Sequence, residues 1–373
     1  MQSFGPKELL EDVFEKDLCV GCGACVELCP YFRSHKGKTA MLFPCDLDQG
    51  RCYAYCPKAE VDLDALAERW WGRPYEGDPL GNHLVVVKSR AGEKAPGGPF
   101  QAGGTVSSLI TFALDRGILD AAVLTDREDL IPIPRLVNRA EDVAACATSK
   151  YSAAPTLSAL NRAVREGCTK IGVVGTPCQV TAVAQMRANP FDRADFTDPV
   201  ALVVGLFCTW ALDTRKLLAL LSNRLDLREV RKMDIPPPPA EVLVIETDDG
   251  KIEISLSEIR PIIPHGCTVC PDMTAEWADL SVGIMEGDPH WNTLVIRTER
   301  GQALVDKASD SGWLLCEAIP QENLAHLRFA AANKKQRTIH AALQEGLVNA
   351  EGRSCLRINP GAMERILAGG EEE

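Results

Sequence analysis

At 373 residues, 46% hydrophobic and 25% charged, the chain has the balance of a globular protein with room for two or three domains. A formal net charge of -12 argues against nucleic acid and anionic membrane surfaces as main partners. The opening stretch MQSFGPKELLEDVFEKD has neither a basic n-region nor an apolar h-region, and no apolar run could span a bilayer, so no membrane insertion and a cytoplasmic location are expected.

The first element is a cysteine-rich head, residues 1–75. Seven of the chain's fifteen cysteines fall between Cys19 and Cys56, a clustering that a disulfide framework does not require and that points to metal or redox chemistry. CVGCGACVELCP gives Cys19-x2-Cys22-x2-Cys25-x3-Cys29-Pro30, the bacterial-ferredoxin spacing for a 4Fe-4S cluster. Three thiolates on one tight loop cap three irons, while the fourth cysteine starts a helix and serves the other cluster. A zinc knuckle pairs two C-x2-C units and has no need of the closing C-P. Cys56-Pro57 then stands where the distant fourth ligand of Cys19, Cys22 and Cys25 belongs. Cys29 is left to join Cys45 and Cys52 at a second site with one ligand missing, for which Asp46, Asp48, another non-cysteine ligand or a 3Fe-4S species would account. Otherwise Cys45 and Cys52 are packed thiols.

The head closes on a helical pattern, EVDLDALAERWW, and a Gly/Pro-rich linker, GRPYEGDPLGN. From residue 76 to 320 the pattern is α/β. HLVVVKS, DAAVLT, KIGVVG and VALVVGLFC read as strands. The helices between and after them are TVSSLITFALDRG, TLSALNRAVREG, PCQVTAVAQMRA and DTRKLLALLSNRL, an alternation that implies mostly parallel strands. After about residue 228, EVLVIETDDGKIEIS reads as a hairpin with Asp-Gly at its turn. ADLSVGI and TLVIRT add strands, RGQALVDKA a helix and WLLCEAI a last strand. Residues 321–373 form a helical extension to about 346 with a frayed GGEEE end, and PPPP at 236–239 reads as a stiff spacer. The fold class is therefore mixed α/β: a ferredoxin-like head, an α/β domain with added antiparallel strands, and a C-terminal helical segment.

Four cysteines of the α/β part stand in unusual contexts. Cys178 in GTPCQ lies at a strand-to-helix turn, Cys208 in GLFC at the carboxyl end of a strand, and Cys267 and Cys270 form the C-x2-C of CTVCPD. Strand carboxyl ends in an open α/β sheet face one crevice, where four such thiolates would suit a 4Fe-4S cluster or zinc. Cys146, Cys168, Cys316 and Cys355 are isolated and read as structural. Gly103 and Gly104 lead into a helix bearing Thr105, Ser107 and Ser108, a start that suits phosphate; it is not a G-x-G-x-x-G fingerprint. Ser149 and Lys150 offer a second anion-binding turn. No H-E-x-x-H, nucleophile elbow or Walker A motif is present.

Taken in order, the head and then GGTVSSLITFALDRGILDAAVLT, SKYSAAPTLSAL, GVVGTPCQ, GLFC, CTVCPDMTAEWADLSVG and HWNTLVIRTERG resemble the coenzyme F420 hydrogenase/dehydrogenase beta-subunit family, over residues 19 to about 310. The resemblance implies FAD as the central cofactor, in a flavin-binding α/β domain, beside two to three iron–sulfur clusters. It implies Gly103, Gly104, Thr105 and Ser107 at the FAD phosphates or ribityl, and Ser149, Lys150, Tyr151, Gly175 and Thr176 along the flavin. It further implies Asp279 and Ser281 near the cofactor, and Cys178, Cys208, Cys267 and Cys270 around a flavin-proximal 4Fe-4S cluster. Asp288 in GIMEGD departs from the GD expected after the strand. The implied activity is an oxidoreductase subunit passing electrons between a partner of formate dehydrogenase, hydrogenase or heterodisulfide reductase type and a hydride carrier such as F420. The alternatives are a stand-alone ferredoxin-dependent reductase of an organic substrate, a non-catalytic electron-transfer adaptor and, from another class, a zinc-stabilised scaffold.

Overall fold

The computed structural model describes residues 4–236, 240–349 and 353–368; most of the tetraproline run and the acidic tail lie outside them. Its centre is an eight-stranded sheet built from β1 (Val85–Ala91), β2 (Ala121–Glu128), β3 (Ile131–Val137), β4 (Ile171–Gly175), β5 (Val200–Leu206), β6 (Leu280–Ile284), β7 (Asn292–Ile296) and β8 (Leu314–Ala318). The spatial order is β8-β1-β7-β6-β5-β4-β2-β3. The four middle strands, β6, β5, β4 and β2, are parallel, as the strand–helix alternation predicts. Antiparallel strands close both sides: β3 on one edge, and β7, β1 and β8 on the other.

Strand β3 is not among the expected elements. Its sequence, IPIPRLV, carries Pro132 and Pro134, which lack an N–H and read as breakers. As an edge strand β3 bonds on one side only, so the prolines can face away from a partner.

The helices that position the site are α1 (Leu63–Trp71), α2 (Thr105–Asp115), α3 (Leu157–Arg165), α4 (Pro177–Arg187), α5 (Thr214–Ser222), α6 (Glu299–Asp310), α7 (Gln321–Gln344) and α8 (Pro360–Ala368). They cover both faces of the sheet. Leu109, Ile110 and Phe112 of α2 and Leu304 and Val305 of α6 meet Leu124, Val174, Leu202 and Leu280 on one face. On the other, Leu157 and Leu160 of α3 and Val180 and Val183 of α4 pack with Val123, Val173 and Val203. The head seats on this second face, where Val20, Cys22, Ala24 and Leu66 join the same core.

Two further details depart from expectation. The 241–255 hairpin forms, but Thr247 pairs with Gly250, so its two-residue loop is Asp248-Asp249, one position before the Asp-Gly pair. With Lys232–Asp234 it makes a separate three-stranded sheet. In the head, Phe32–His35 and Lys38–Met41 form an unanticipated hairpin across Lys36 and Gly37, whose φ of 46° and 78° give the left-handed pair that suits a two-residue turn. Among the described residues no helix is long and apolar enough to cross a membrane.

Candidate functional site

The Cys19–Cys29 loop turns through two glycines in left-handed conformation, Gly21 at φ +66° and Gly23 at φ +84°. A Cβ on Gly21 would strike the Gly37 carbonyl of the head hairpin, and one on Gly23 would meet the Pro155 carbonyl at 2.5 Å. The loop is thereby held closely between the hairpin and the chain leading into α3. Asn161 of α3 tightens it further, donating from Nδ2 to the carbonyls of Ala24 (2.9 Å) and Val26 (2.7 Å).

The thiols fall into groups by the charges that reach them. Burial first, then Cys22, Cys19 and Cys56, pushes the Cys25 thiol well above its ordinary range. Cys56 is pushed up by burial and then by Cys19 and Cys355, against a hydrogen bond from the Lys58 backbone N–H. Cys52, pushed up to about 11 mainly by burial, feels Cys29 and Cys45. The loop cysteines Cys19, Cys22 and Cys25 thus influence one another together with Cys56, while Cys52 feels Cys29 and Cys45 and also reaches Cys25. Asp46 and Asp48 are exposed.

A third group forms at the sheet. Thr176 follows β4 and starts α4 through a reciprocal capping pair with Gln179, leaving Cys178 on the first turn with its Sγ 3.3 Å from Thr176 Oγ1. Cys178 is pushed up to about 12, mainly by burial and then by Cys270. Cys208 follows β5 and is also raised, first by burial, with Cys267, Cys178 and Cys270 all in reach. The third group touches the head group: apart from burial, Cys178 is the strongest influence on the buried Cys22. Among the described residues no three His, Cys, Asp or Glu side chains converge on a single-ion position. Cysteine-only donor sets on a glycine-turned loop and at strand ends fit iron–sulfur clusters.

Beside the thiol groups, three residues escaped sequence reasoning. Cys355, read as isolated, lines a partly enclosed cavity of about 40 Å³ with Cys178, Cys270 and Lys58. Lys334 of α7 donates to the Cys208 and Asp272 carbonyls, 2.7 Å each, pinning the strand-end loop from behind. Only the position of Lys58 directly after Cys56-Pro57 offered a sequence signal for any of them.

The expected cofactor residues divide into three sets. Gly104, at φ +80°, is the N-cap of α2 and supplies no side-chain cap. The Thr105 hydroxyl pairs with Ser89 at 2.9 Å and its N–H donates to Asn292 Oδ1. Gly103 approaches the Ser89 carbonyl closely, and Ser107 is half-buried on the first turn. Gln101, just before them, accepts from the Ser149 N–H (3.1 Å) and donates to Asp234 (3.0 Å), which also accepts from the Tyr151 hydroxyl (3.0 Å). One polar network thus joins the α2 entry to Ser149 and Tyr151 through Gln101 and Asp234, neither of which carries a motif. Lys150 turns its ammonium onto the Cys146, Ala147 and Thr148 carbonyls, and burial pushes its pKa down to about 8. Gly175 ends β4 beside Thr176.

Asp279 and Ser281 stand apart from that network. Buried Asp279 accepts from the Val203 N–H, the Thr298 hydroxyl and Arg300. Ser281 donates to the Ala275 carbonyl and accepts from Arg297, itself fully buried. At the α2 start Asn292 takes the Thr105 N–H, and the other first-turn N–H groups, with glycines beside them, are the kind of donors a pyrophosphate uses.

Comparison with known proteins places these features in one family. The profile for the C terminus of the coenzyme F420 hydrogenase/dehydrogenase beta subunit matches residues 168–322, and the profile for its N-terminal part matches 86–161. A 4Fe-4S binding domain matches residues 12–31. The coenzyme F420 hydrogenase subunit beta of Methanococcus voltae is 32% identical over 243 residues, 63% of this chain and 85% of that protein. The coenzyme F420-dependent sulfite reductase of Methanocaldococcus jannaschii is 28% identical over 338 residues, 86% of this chain but 50% of that protein. A chain in the solved F420-reducing nickel–iron hydrogenase complex of Methanosarcina barkeri superposes with a TM-score of 0.66 at 27% identity, covering 72% of this chain and 94% of its own.

Proposed function

The chain belongs to the coenzyme F420 hydrogenase/dehydrogenase beta-subunit family, and from that premise we propose that it is the FAD- and iron–sulfur-containing subunit of a larger oxidoreductase. It exchanges electrons between a partner subunit and a two-electron hydride carrier such as coenzyme F420. The observation that carries this reading is the row of three thiol groups. Cys52 feels Cys29 and Cys45, which lies in the largely exposed 42–49 segment; Cys19, Cys22, Cys25 and Cys56 influence one another; Cys208, after a sheet strand, feels Cys178, Cys267 and Cys270, and Cys178 acts on Cys22. Such a row suits single-electron steps between successive clusters.

In this reading the head, 1–75, takes two clusters, the outer with Asp46, Asp48 or no fourth ligand. The α/β part, 76–320, takes the third cluster and FAD, and the 321–373 extension braces them. Gly103, Gly104, Thr105 and Ser107 would hold the phosphates, and Ser149, Tyr151, Gly175 and Thr176 the remainder, with Lys150 fixing the turn they share. Asp279 and Ser281, already bonded inside the fold, would set the strand positions beneath. FAD, when bound, exchanges single electrons with clusters and hydride with a two-electron carrier.

The match to half of a sulfite reductase favours a variant in which the partner module is such a reductase, supplied by the reduced carrier. The test is anaerobic reconstitution with iron, sulfide and FAD, followed by assay of F420 against NAD(P) with the co-purified complex. Stoichiometric flavin with F420 turnover is expected. Protein that binds no flavin would refute the reading, and turnover with NAD(P) alone would refute the carrier.

A further inference from the structure

Lys58 is 3% exposed and lines the cavity shared with Cys178, Cys270 and Cys355. Two other lysines are buried as deeply, and their ammonium groups are satisfied. Lys334 bonds two carbonyls, and Lys335 bonds Glu276, the Tyr75 hydroxyl and the Asp78 carbonyl. The Lys58 ammonium has no hydrogen bond and no carboxylate partner among the described residues. An isolated buried charge costs several kcal/mol and persists only beside a counter-charge. The charges that act on it most strongly are thiols: Cys270, Cys355, Cys267 and Cys178, three of which share its cavity. Its backbone N–H and its ammonium both favour the charged form of Cys56, at the other cluster site.

We propose that Lys58 is the buried counter-charge between the two cluster sites and sets the reduction potential of the cluster held by Cys178, Cys208, Cys267 and Cys270. This rests on the cluster assignment made above. Reduction adds one electron, and one negative charge, to a site already carrying four thiolates. A fixed ammonium favours that added charge and raises the potential, while keeping its own proton. An electron arriving from the head is thereby stabilised on the sheet side. The ammonium also reaches Cys56, but Cys56 is not among the four thiols that act on it most strongly, so a side-chain substitution acts mainly on the sheet-side cluster.

The test is potentiometric titration, followed by electron paramagnetic resonance, of the full chain reconstituted anaerobically with iron and sulfide. Lys58→Met should lower the reduction equilibrium of this cluster at least tenfold, about 59 mV for a one-electron couple. Lys58→Arg should stay within about threefold of the parent, and the head signals should move less. An unchanged potential in Lys58→Met, or an equal shift in Lys58→Arg, would overturn the proposal. Should Lys58→Met assemble no cluster here, assembly in Lys58→Arg supports a need for the charge, while failure of both assigns a packing role and overturns it. Cys178→Ser, run in parallel, should lose this cluster and keep the head signals; retention of every signal removes the cluster assignment and the proposal with it.

Discussion

Replacing Lys335 with methionine should loosen α7 from the site, and the size of the loss can be worked out from its surroundings. The Lys335 ammonium donates to Glu276 Oε1 at 2.7 Å, the Tyr75 hydroxyl at 2.8 Å and the Asp78 carbonyl at 2.6 Å. The two charged side chains are 2% and 6% exposed. Removing one partner of a buried pair ordinarily costs about 3–5 kcal/mol, because the other charge is stranded. Glu276 is not wholly stranded, since the Tyr75 hydroxyl still reaches Oε2 at 3.0 Å. Burial also pushes the Glu276 pKa up even with Lys335 present, so protonation caps the penalty. A loss of about 3 kcal/mol at neutral pH follows, roughly a 150-fold change in the folded ratio. Without Lys335 the folded pKa of Glu276 rises further. Its contribution is then fully favourable below the unfolded value and is lost as pH rises through the folded one, so the variant should recover stability as pH falls. Denaturant unfolding in a double-mutant cycle with Glu276→Gln measures both the loss and the coupling. A Lys335→Met loss under about 1 kcal/mol, or a loss that does not shrink with falling pH, would refute the reasoning.

Two other outcomes follow from contacts in and beside the head. Cys29→Ser should remove one of two head cluster signals in electron paramagnetic resonance and leave the Cys19 group's signal; loss of the latter instead would reverse the ligand assignment. Partial burial works against charging His265, but its bonds to Glu345 (2.8 Å) and the Lys16 carbonyl (3.0 Å) prevail and raise its pKa above 6.5. The stability this pair contributes is full below the ordinary value and is lost as pH rises through the raised one. Thermal melts between about pH 6 and 8 should therefore slope less in His265→Gln than in the parent.

What the sequence disclosed depended on whether the signal was local. The Cys19–Cys29 spacing and the strand-to-helix turn at GTPCQ are short-range patterns, and both were readable as they stood. Strand β3 was hidden because Pro132 and Pro134 break the strand pattern, a penalty that edge position removes. Gln101 and Asp234 were invisible for another reason. Each is an ordinary polar residue until the fold brings positions 133 residues apart within 3.0 Å. Cys355 looked isolated because its neighbours, Cys56 and Cys270, are distant in sequence.

That last case bears on the extension itself. After α7 the chain returns to the head: Leu356–Arg357 pairs in parallel with Val61–Asp62, and the Ser354 N–H and Arg357 both bond Glu60. Asn359 then bonds Asp64 and the Tyr75 carbonyl, joining the head's last helix to the linker. Lys334 and Lys335 reach the sheet side from the same segment. A single stretch beyond the family match, which ends at residue 322, therefore grips both cluster sites. The Cys22 loop is also tied to the sheet side by Asn161, which bonds the Ala24 and Val26 carbonyls, and by the Leu157 N–H on the Cys22 carbonyl (3.2 Å), so the brace and these contacts together set the distance between Cys22 and Cys178. Electron transfer between clusters held at these two sites would fall steeply with their separation, so loosening the extension is expected to slow it as well as to lower stability.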